Sequence, residues 1–401
     1  MTRTFLKISV SALALCVMAG SAVAGGYGRG SANIDVLFDE GTSVSTSMGV
    51  TSPTRSMASV NGVATSGATA VDFAETYSTF GASVAFNVAG GVRCGGSLAQ
   101  PFGAKADYGN SRIVADVNGA ANPGPNTTSN DFSSYEMGLT CSYGAEVGPG
   151  KAFVLGGLFY QGLEYNEIRG FGAAAINMTD AALGYRVGLG YTIPEVAFKA
   201  SLTYRSSVDH RMEGTQSLLG GAATIGIFAD ATTPQSVKFA LQTGVAEGWL
   251  VFGSVEWTDW SVIQRVAVNC KNAANFGPGL SCVAGGPSIG QPGIDAFFGD
   301  GWTVNAGVGH KFNDLFSGSL SVTWDKGVSQ AFAGANRSTF TDTWTFALGG
   351  AFTPNATSSF RAGLAYSLLS GGTETGLGGG KTITYDSSYA ISAGVSGNFK
   401  F

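Results

Sequence analysis

The chain has 401 residues and a formal charge of −5, and only 12% of its residues are Asp, Glu, Lys or Arg, against about a quarter in an ordinary soluble domain. Glycine is abundant, with 61 residues, but no Gly-X-Y period occurs, which excludes a collagen-like chain. No basic block is present, so nucleic acid is not expected as a partner. Beyond the first two dozen residues, no apolar run is long enough for a transmembrane helix.

Residues 1–24 have the pattern of a secretory signal peptide. Two basic residues precede an apolar stretch, and residues 22–24 (Ala-Val-Ala) form a small-residue cleavage site. We therefore expect the mature chain to begin at Gly25. A lipoprotein signal that uses Cys16 is a weak alternative, because Leu15 is too bulky for the position before a lipidated cysteine.

Four cysteines follow the signal, an even number in an exported chain, so disulfides are the default expectation. Cys270 and Cys282 bracket a short Gly/Pro/Asn-rich segment and are the first candidate bridge. Cys94 and Cys141 either pair across neighbouring strands or are two buried free thiols, with a slight preference for the bridge. The chain has no C-x-x-C spacing and its histidines lie far from the cysteines, so no zinc site, other metal or cofactor is expected.

Hydrophobicity alternates with a period of two in many segments, for example at residues 196–205, 319–325 and 388–401. Segments of about nine to fourteen residues suit tilted strands that span a bilayer. Turn-forming residues predict tight turns near 89–91, 148–151, 194–195, 247–248, 313–314 and 353–356. Long polar loops are predicted near 56–76, 103–131, 165–179, 212–234, 269–300, 327–340 and 370–385.

Seven long loops that alternate with six tight turns separate fourteen strands, with both ends of the barrel region on the tight-turn side, as in bacterial outer-membrane barrels. In lipid every backbone polar group must be bonded internally, so the expected fold is all-β, a single 14-stranded antiparallel transmembrane β-barrel at residues 42–401. A β-sandwich would not explain the alternation of loops. Two interfacial girdles are expected: Tyr191, Trp249, Phe312, Phe316, Phe352 and Phe401 near tight turns, and Tyr204, Trp257, Trp260, Trp302 and Trp324 near long loops.

Three stretches in the middle of the chain form a recognisable pattern. Residues 202–214 read LTYRSSVDHRMEG, residues 233–237 read TPQSV, and residues 253–261 read GSVEWTDWS. They resemble strands of the outer-membrane long-chain fatty-acid and hydrophobic-compound transporter family, the FadL/TodX type. The resemblance implies a monomeric passive channel for hydrophobic compounds in the outer membrane of a Gram-negative bacterium. Long-chain fatty acids are the first expectation for its substrate. It also implies that Phe401, as a C-terminal aromatic residue, is presented to the barrel assembly machinery.

The family usually carries a longer N-terminal hatch, with an Asn-Pro-Ala motif, that plugs the barrel. Here residues 25–41 precede the first strand and the motif is absent, so we interpret them as a shortened hatch inside the lumen. Its candidate residues are Gly25, Gly26, Tyr27 and Arg29.

The resemblance further implies a kink in the third strand that opens the wall sideways to the bilayer. The third strand here contains Gly95, Gly96 and Pro101, residue types that weaken strand pairing and mark bulges. A bend of the barrel rim without a function is an equally good interpretation of these three residues.

Two groups of residues are candidates for substrate contacts in the lumen. A cationic wall suits the carboxylate of a fatty acid, because Arg and Lys donate charge-assisted hydrogen bonds. Ion pairing with Glu136, Glu256 and Asp35 is the alternative role of these cations. An apolar patch on the fifth strand either contacts solute or packs against the hatch. The candidates are Arg205, Lys199, Arg186 and Lys238 for the cationic wall, and Phe153 and Phe159 for the apolar patch.

Three other functions are weaker interpretations. An outer-membrane enzyme is not expected, because His210 and His310 are predicted at opposite interfaces and no G-x-S-x-G motif lies near them. A general diffusion porin usually has a strongly charged constriction, which the sparse charge here disfavours. Uptake of aromatic hydrocarbons, by a channel of the same family, is the alternative to fatty-acid transport.

Overall fold

The computed structural model describes residues 27–39, 41–65, 72–108, 127–169, 174–289, 293–332, 335–336, 341–377 and 381–401. The predicted signal peptide and the hatch candidates Gly25 and Gly26 lie outside these residues. Residues 27–39, here called the N-terminal segment, precede the first strand and contain the 3-10 helix Asp35–Phe38. Within the described ranges, no helix is long and apolar enough to cross a membrane.

Fourteen antiparallel strands form the wall, three of them in two parts. The strands are β1 (Ser43–Pro53), β2 (Tyr77–Ala89), β3 (Val92–Ala99 and Gly103–Asp107), β4 (Thr127–Val147), β5 (Gly150–Arg169), β6 (Ala174–Ile193), β7 (Phe198–Arg205 and Val208–Leu218), β8 (Ala223–Thr233 and Ser236–Ala246), β9 (Trp249–Thr258), β10 (Gly301–Lys311), β11 (Phe316–Asp325), β12 (Thr343–Asn355), β13 (Ser358–Leu369) and β14 (Ser388–Lys400).

The wall closes on itself. Every strand pairs with its chain neighbours, and β1 pairs with β14 from Ser43 opposite Lys400 to Pro53 opposite Ala390. Closure bonds the backbone groups that an open sheet edge would expose to lipid. The predicted fourteen-stranded barrel is therefore confirmed, and the six predicted tight turns join consecutive strands.

Side chains alternate between lipid and lumen, because successive residues of a strand point to opposite faces. On β5, Val154 and Leu158 are 59% and 62% exposed, whereas Phe153 and Phe159 are 6% and 1% exposed. The two phenylalanines therefore face the lumen. The apolar residues beside them form the lipid surface of the same strand.

Exposed aromatic residues lie at both ends of the wall. Trp249, Phe316 and Phe352 lie beside tight turns, and Trp302 lies at the long-loop end. Trp260 is a correction to the predicted girdle, because it lies in the 3-10 helix Trp260–Val262, where it is buried. It packs inside the protein and does not contact lipid.

Small elements fold over the long-loop end of the barrel. Two of them are the short 3-10 helices Leu219–Gly221 and Trp260–Val262, whereas the 3-10 turn Pro194–Val196 lies at the opposite, tight-turn end between β6 and β7. The loop strands are Met57–Val60, Val63–Ala64, Arg265–Val266, Val268–Cys270, Ala274–Asn275, Ser281–Cys282, Ile294–Asp295, Ala331–Phe332, Ala335–Asn336, Gly372–Leu377 and Lys381–Tyr385.

Strands β7 and β8 pair with each other along both of their parts, and the pairing is interrupted between the parts, at Ser206 on β7 and Pro234 on β8. The two strands bend at this point. Arg205 stabilises the bend, because its Nη1 donates to the carbonyl oxygens of Ser206, at 3.3 Å, and Pro234, at 3.2 Å. Beyond the bend, the outer half of β8 pairs with the loop strand Val268–Cys270 instead of with β9. The loop between β9 and β10 is thereby drawn over the barrel mouth.

Two disulfides are present. One joins Cys94 to Cys141, which are directly opposite each other on β3 and β4. The other joins Cys270 to Cys282 within the long loop between β9 and β10. The first therefore links two wall strands, and the second closes a loop at the barrel mouth.

A lumenal cavity as the candidate functional site

The N-terminal segment lies inside the barrel and is bound to the wall near the tight-turn end. Arg93 of β3 donates from Nε to the carbonyl oxygen of Val36, at 2.7 Å, and from Nη2 to the hydroxyl of Ser43, at 2.7 Å. Ser142 of β4 donates to the carbonyl oxygen of Leu37, at 3.0 Å. The bonds from Arg93 and Ser142 fix the 3-10 helix of the segment against two wall strands, and the bond to Ser43 ties Arg93 to β1.

Two acidic residues of the segment form ion pairs with wall lysines. Asp35 lies 2.7 Å from Nζ of Lys199, and Asp39 lies 3.0 Å from Nζ of Lys400. Phe38 packs edge-on against Phe153, with ring centres 5.1 Å apart. Phe153 therefore contacts the N-terminal segment, which is the packing alternative considered from the sequence.

The first residues of the segment pair with the interruption in β3. The backbone N–H of Arg29 donates to the carbonyl oxygen of Pro101, at 2.8 Å, and the N–H of Gly103 donates to that of Tyr27, at 2.7 Å. The hatch candidates Tyr27 and Arg29 thus lie beside the lateral-opening candidate Pro101.

Gly95 and Gly96 do not interrupt the wall. Gly95 is paired with Ala85 on one side and Thr140 on the other, and Gly96 is paired on both sides as well. The break in β3 lies at Pro101 instead, because proline has no N–H to donate to a ladder.

Five aromatic side chains meet in the lumen, and we call them the aromatic cluster: Tyr27, Phe102, Phe132, Trp260 and Phe298. The ring of Tyr27 lies 5.6 Å from Phe132, 6.1 Å from Trp260 and 5.4 Å from Phe298. Most of these contacts are edge-to-face, the arrangement that aromatic quadrupoles favour. The N-terminal segment supplies one ring, so the cluster is complete only while that segment is in place.

Beneath the aromatic cluster, two of the predicted cations share one buried carboxylate. Arg205 donates from Nε and Nη2 to Oε2 of Glu136, each at 3.0 Å, and Nη2 of Arg186 donates to Oε1. Both guanidinium groups also lie over the ring of Phe159, at 4.5 and 5.1 Å from its centre. The charges of this group are therefore engaged within the protein.

The other two predicted cations also have acidic partners. Lys238 lies 3.2 Å from Glu256, and Lys199 contacts Asp35 as described above. All four candidates for the carboxylate site are thus in ion pairs with the three acids named from the sequence. The geometry favours the ion-pairing alternative for each of them.

Above the aromatic cluster lies a cavity of about 590 Å³, here called the vestibule. Its volume lies in the range of small-molecule sites, roughly 300–1,000 Å³. The wall combines side chains from the barrel, the loops and the N-terminal segment. Its large apolar and aromatic members are Tyr27, Phe73, Tyr77, Tyr108, Phe132, Leu163, Tyr165, Met178, Met212, Ile263, Val266, Phe298 and Leu369.

Four acidic residues line the vestibule, namely Glu75, Glu167, Asp325 and Glu374, and Glu167 is bonded to its neighbours. Glu167, which is 3% exposed, accepts from Tyr165 Oη at 3.0 Å and from Arg169 Nε at 2.8 Å, and Thr127 also donates to it. A satisfied carboxylate of this kind presents little unpaired charge to a solute. The vestibule thus combines a largely apolar surface with charged side chains, among them Arg29, Arg55, Glu75 and Lys105.

Most vestibule residues were missed by sequence reasoning. Phe73, Tyr108 and Phe298 lie in segments predicted as polar loops. Trp260, which belongs to the aromatic cluster and not to the vestibule wall, is predicted in a girdle. The sequence did contain an indication of these residues, because large aromatic residues are unusual in polar loops unless their side chains pack against other parts of the protein. Reading Phe102 and Trp260 together with these loop aromatics would have indicated a packed lumen entrance.

The fold and the family of the chain follow from comparison with known proteins. The family model described as outer membrane protein transport protein (OMPP1/FadL/TodX) matches residues 41–370. The chain belongs to this family. It is an outer-membrane transport protein of the Gram-negative cell envelope, and its predicted FadL/TodX resemblance is confirmed.

Solved structures agree with the barrel architecture. The crystal structure of a Pseudomonas aeruginosa FadL homologue matches with a TM-score of 0.70 and 11% identity, over 96% of each chain. The Pseudomonas putida toluene transporter TodX matches at 0.58 and 15%, over 96% of each chain. The Ralstonia pickettii toluene transporter TbuX matches at 0.59 and 11%, over 96% of this chain and 97% of its own. No curated protein sequence matched.

Proposed function

We propose that this protein is a passive conduit for hydrophobic compounds through the outer membrane and that the vestibule is its binding site. The observation that carries the proposal is a cavity of about 590 Å³ with a largely apolar lining, in whose wall Glu167 is paired with Arg169. Such a site binds by burial of apolar surface, at about 25 cal/mol per Å². No energy source or cofactor enters this mechanism.

Neutral aromatic compounds are the substrates that the site fits best. Arg186 and Arg205 do not line the vestibule, and a fatty-acid carboxylate that reached them would have to displace Glu136, to which both are bonded. A neutral ring needs no such exchange, and the rings of the vestibule offer edge-to-face partners. Two structural relatives, TodX and TbuX, are toluene transporters by name, which supports this choice.

Long-chain fatty acids are the second candidate. Arg55 favours them, because its guanidinium lines the vestibule and donates to the carbonyl oxygen of Ser370, at 2.8 Å, and to the hydroxyl of Ser388, at 3.4 Å. A carboxylate that entered the vestibule could accept a charge-assisted bond from Arg55. In that case the carboxylate of the fatty acid is bound by Arg55 and not by the predicted cations Arg205 and Lys199.

Competition binding separates the candidates. The neutral fluorescent probe N-phenyl-1-naphthylamine is titrated into the purified full chain and displaced with toluene or with palmitate. Leu163→Trp fills the vestibule and is expected to weaken probe binding by at least about tenfold. Leu158→Trp is the matched control, because Leu158 lies on the same strand but faces lipid.

Each outcome decides one part of the proposal. Displacement by toluene but not by palmitate supports the neutral aromatic class, and the reverse supports fatty acids. If Leu163→Trp and Leu158→Trp bind the probe equally, the vestibule is not the binding site. If the protein binds neither compound but conducts salt in planar bilayers, it is a general porin.

A further inference from the structure

The vestibule has two chemically different sides. In the closed ring of fourteen strands, strands seven positions apart lie opposite each other, so β11 to β14 lie opposite β4 to β7, and β1 lies opposite β8. The strands β12, β13, β14 and β1 supply hydroxyl-bearing side chains to the vestibule wall, namely Thr343, Ser367, Ser392 and Thr51. The strands β4 to β7 supply large apolar side chains, namely Phe132, Leu163, Met178 and Met212. A solute in the vestibule therefore has an apolar wall on one side and a hydroxyl-lined wall on the other.

The ionised side chains of the vestibule wall balance each other. The four acidic residues named above are matched by four basic ones, Arg29, Arg55, Lys105 and Arg169. The described wall thus has a net formal charge of zero and attracts neither an anion nor a cation as a whole. An ionic solute would still lose its hydration on entry, a cost that a neutral solute avoids. The wall therefore favours a neutral solute with a polar group on one side.

Three hydroxyl groups on the polar side form a chain of hydrogen bonds. Oγ1 of Thr51 and Oγ of Ser392 are 2.9 Å apart, on residues directly opposite each other on β1 and β14. The hydroxyl of Tyr77 on β2 is hydrogen-bonded to Thr51 in turn. All three residues line the vestibule, and Thr51 and Ser392 are only 8% and 3% exposed. We call these three groups the hydroxyl chain.

The hydroxyl chain has more donors than internal bonds. Each hydroxyl group carries one O–H, and the two bonds within the chain use two of the three. At least one O–H is therefore available to a solute or to water in the vestibule. A buried donor that finds no acceptor is costly, so this O–H requires an acceptor atom from whatever occupies the vestibule.

We propose that the vestibule selects neutral aromatic compounds that carry an oxygen acceptor, with phenols as the simplest members. The ring packs against Leu163, Met178 and Met212, and the oxygen accepts the available O–H of the hydroxyl chain. A plain hydrocarbon of the same shape displaces water from this O–H and offers no acceptor in its place. The inference rests on the proposed function, because it names the class of solute that the same site binds.

A ligand series tests this class on the wild-type protein. N-phenyl-1-naphthylamine is bound to the purified full chain and displaced with p-phenylphenol, p-methylbiphenyl or p-phenylbenzoate, which differ in one substituent. Burial of apolar surface alone predicts that the methyl compound binds most tightly, because it is the most apolar of the three.

The proposal predicts a different order. We expect p-phenylphenol to displace the probe at a concentration about fivefold lower than p-methylbiphenyl, as one net hydrogen bond would give, and p-phenylbenzoate to require a concentration at least about tenfold higher than the phenol. Displacement by the methyl compound at an equal or lower concentration than by the phenol overturns the proposal. Displacement by the benzoate as readily as by the phenol overturns the assignment of a neutral class.

Removal of the hydroxyl chain tests its role. The full-chain triple variant Thr51→Val, Tyr77→Phe, Ser392→Ala loses the three hydroxyls with little change in shape. Its preference for p-phenylphenol over p-methylbiphenyl is expected to fall from about fivefold to none. The double variant Ser52→Ala, Thr76→Val is the matched control, because these hydroxyls are also paired, at 3.0 Å, but are exposed, and Ser52 points to the opposite face of β1 from Thr51. The control is expected to keep the wild-type preference.

Each result separates the inference from the function on which it rests. A triple variant that keeps the preference overturns the proposal, because the hydroxyl chain then does not bind the oxygen. If the triple variant does not fold, the order of the three ligands on wild type still decides the class. Failure of wild type to bind the probe would instead refute the proposed function.

Discussion

Glu136→Gln is the substitution for which the structure predicts the largest loss of stability at the lumenal charges. The Glu136 side chain is 3% exposed, and those of its partners Arg186 and Arg205 are 8% and 17% exposed. Removing one partner of a buried ion pair costs about 3–5 kcal/mol, because the remaining charge has lost its counterion. Taking about 3 kcal/mol and a urea slope of about 2 kcal/mol per M, the unfolding midpoint falls by about 1.5 M.

Urea unfolding in lipid vesicles, followed by tryptophan fluorescence and gel mobility, measures this shift. Glu256→Gln is the matched control, because Glu256 pairs with Lys238 at 3.2 Å but the side chains are 20% and 39% exposed. Exposed pairs contribute at most about 1 kcal/mol, so its midpoint is expected to fall by less than about 0.5 M.

An unchanged midpoint in Glu136→Gln would refute the argument that the carboxylate holds the two arginines. A variant that stays folded and binds palmitate more tightly than wild type would point to a different role. In that event Arg186 and Arg205 form a site for the carboxylate of a fatty acid, and Glu136 competes with that carboxylate in wild type. The result would support the prediction from the sequence that these cations bind fatty acids.

Two further predictions concern the wall and the N-terminal segment. Replacing Cys94 and Cys141 together by serine removes the link between β3 and β4 and is expected to cost about 2–4 kcal/mol, measured under non-reducing conditions as a lower urea midpoint than that of oxidised wild type; equal midpoints would contradict it. Burial opposes ionisation of Asp35, but Lys199 holds the pKa of that carboxyl below its usual value, so the pair stabilises the segment above about pH 4 and is lost as pH falls further. Protease cleavage of the segment should rise at pH 3 in wild type and be insensitive to pH in Asp35→Asn, and a flat wild-type profile would contradict this.

The barrel could be predicted from the sequence because its signals are local. A period of two, turn residues and loop lengths are properties of neighbouring residues, so the strands around Val154 and Leu158 and the six tight turns were predicted correctly. The break at Pro101 could be predicted for the same reason, since a missing N–H is a property of one residue. Gly95 and Gly96 show the limit of this reasoning, because glycine permits a break without requiring one.

The lumen could not be predicted in the same way, because its contacts join residues from distant parts of the chain. Glu136 and Arg205 are 69 positions apart, and alternation only shows that both face inwards. Two roles for the cations, binding of a carboxylate or ion pairing within the lumen, could therefore be predicted from the sequence, but the sequence did not distinguish between them. Trp260 was misplaced for a related reason, since its burial depends on Tyr27 and Phe298, which come from an N-terminal segment and a different part of the loop.

The position of the N-terminal segment has a consequence for the order of assembly. The segment precedes β1, lies within the finished wall and is bound there by Arg93 of β3 and Ser142 of β4. The wall closes only when β14, the last strand, pairs with β1. A segment inserted after closure would have to be threaded past bonded strands, whereas β3 and β4 can bind it while the sheet is still open. The barrel is therefore expected to fold around residues 27–39, with the early strands serving as the template.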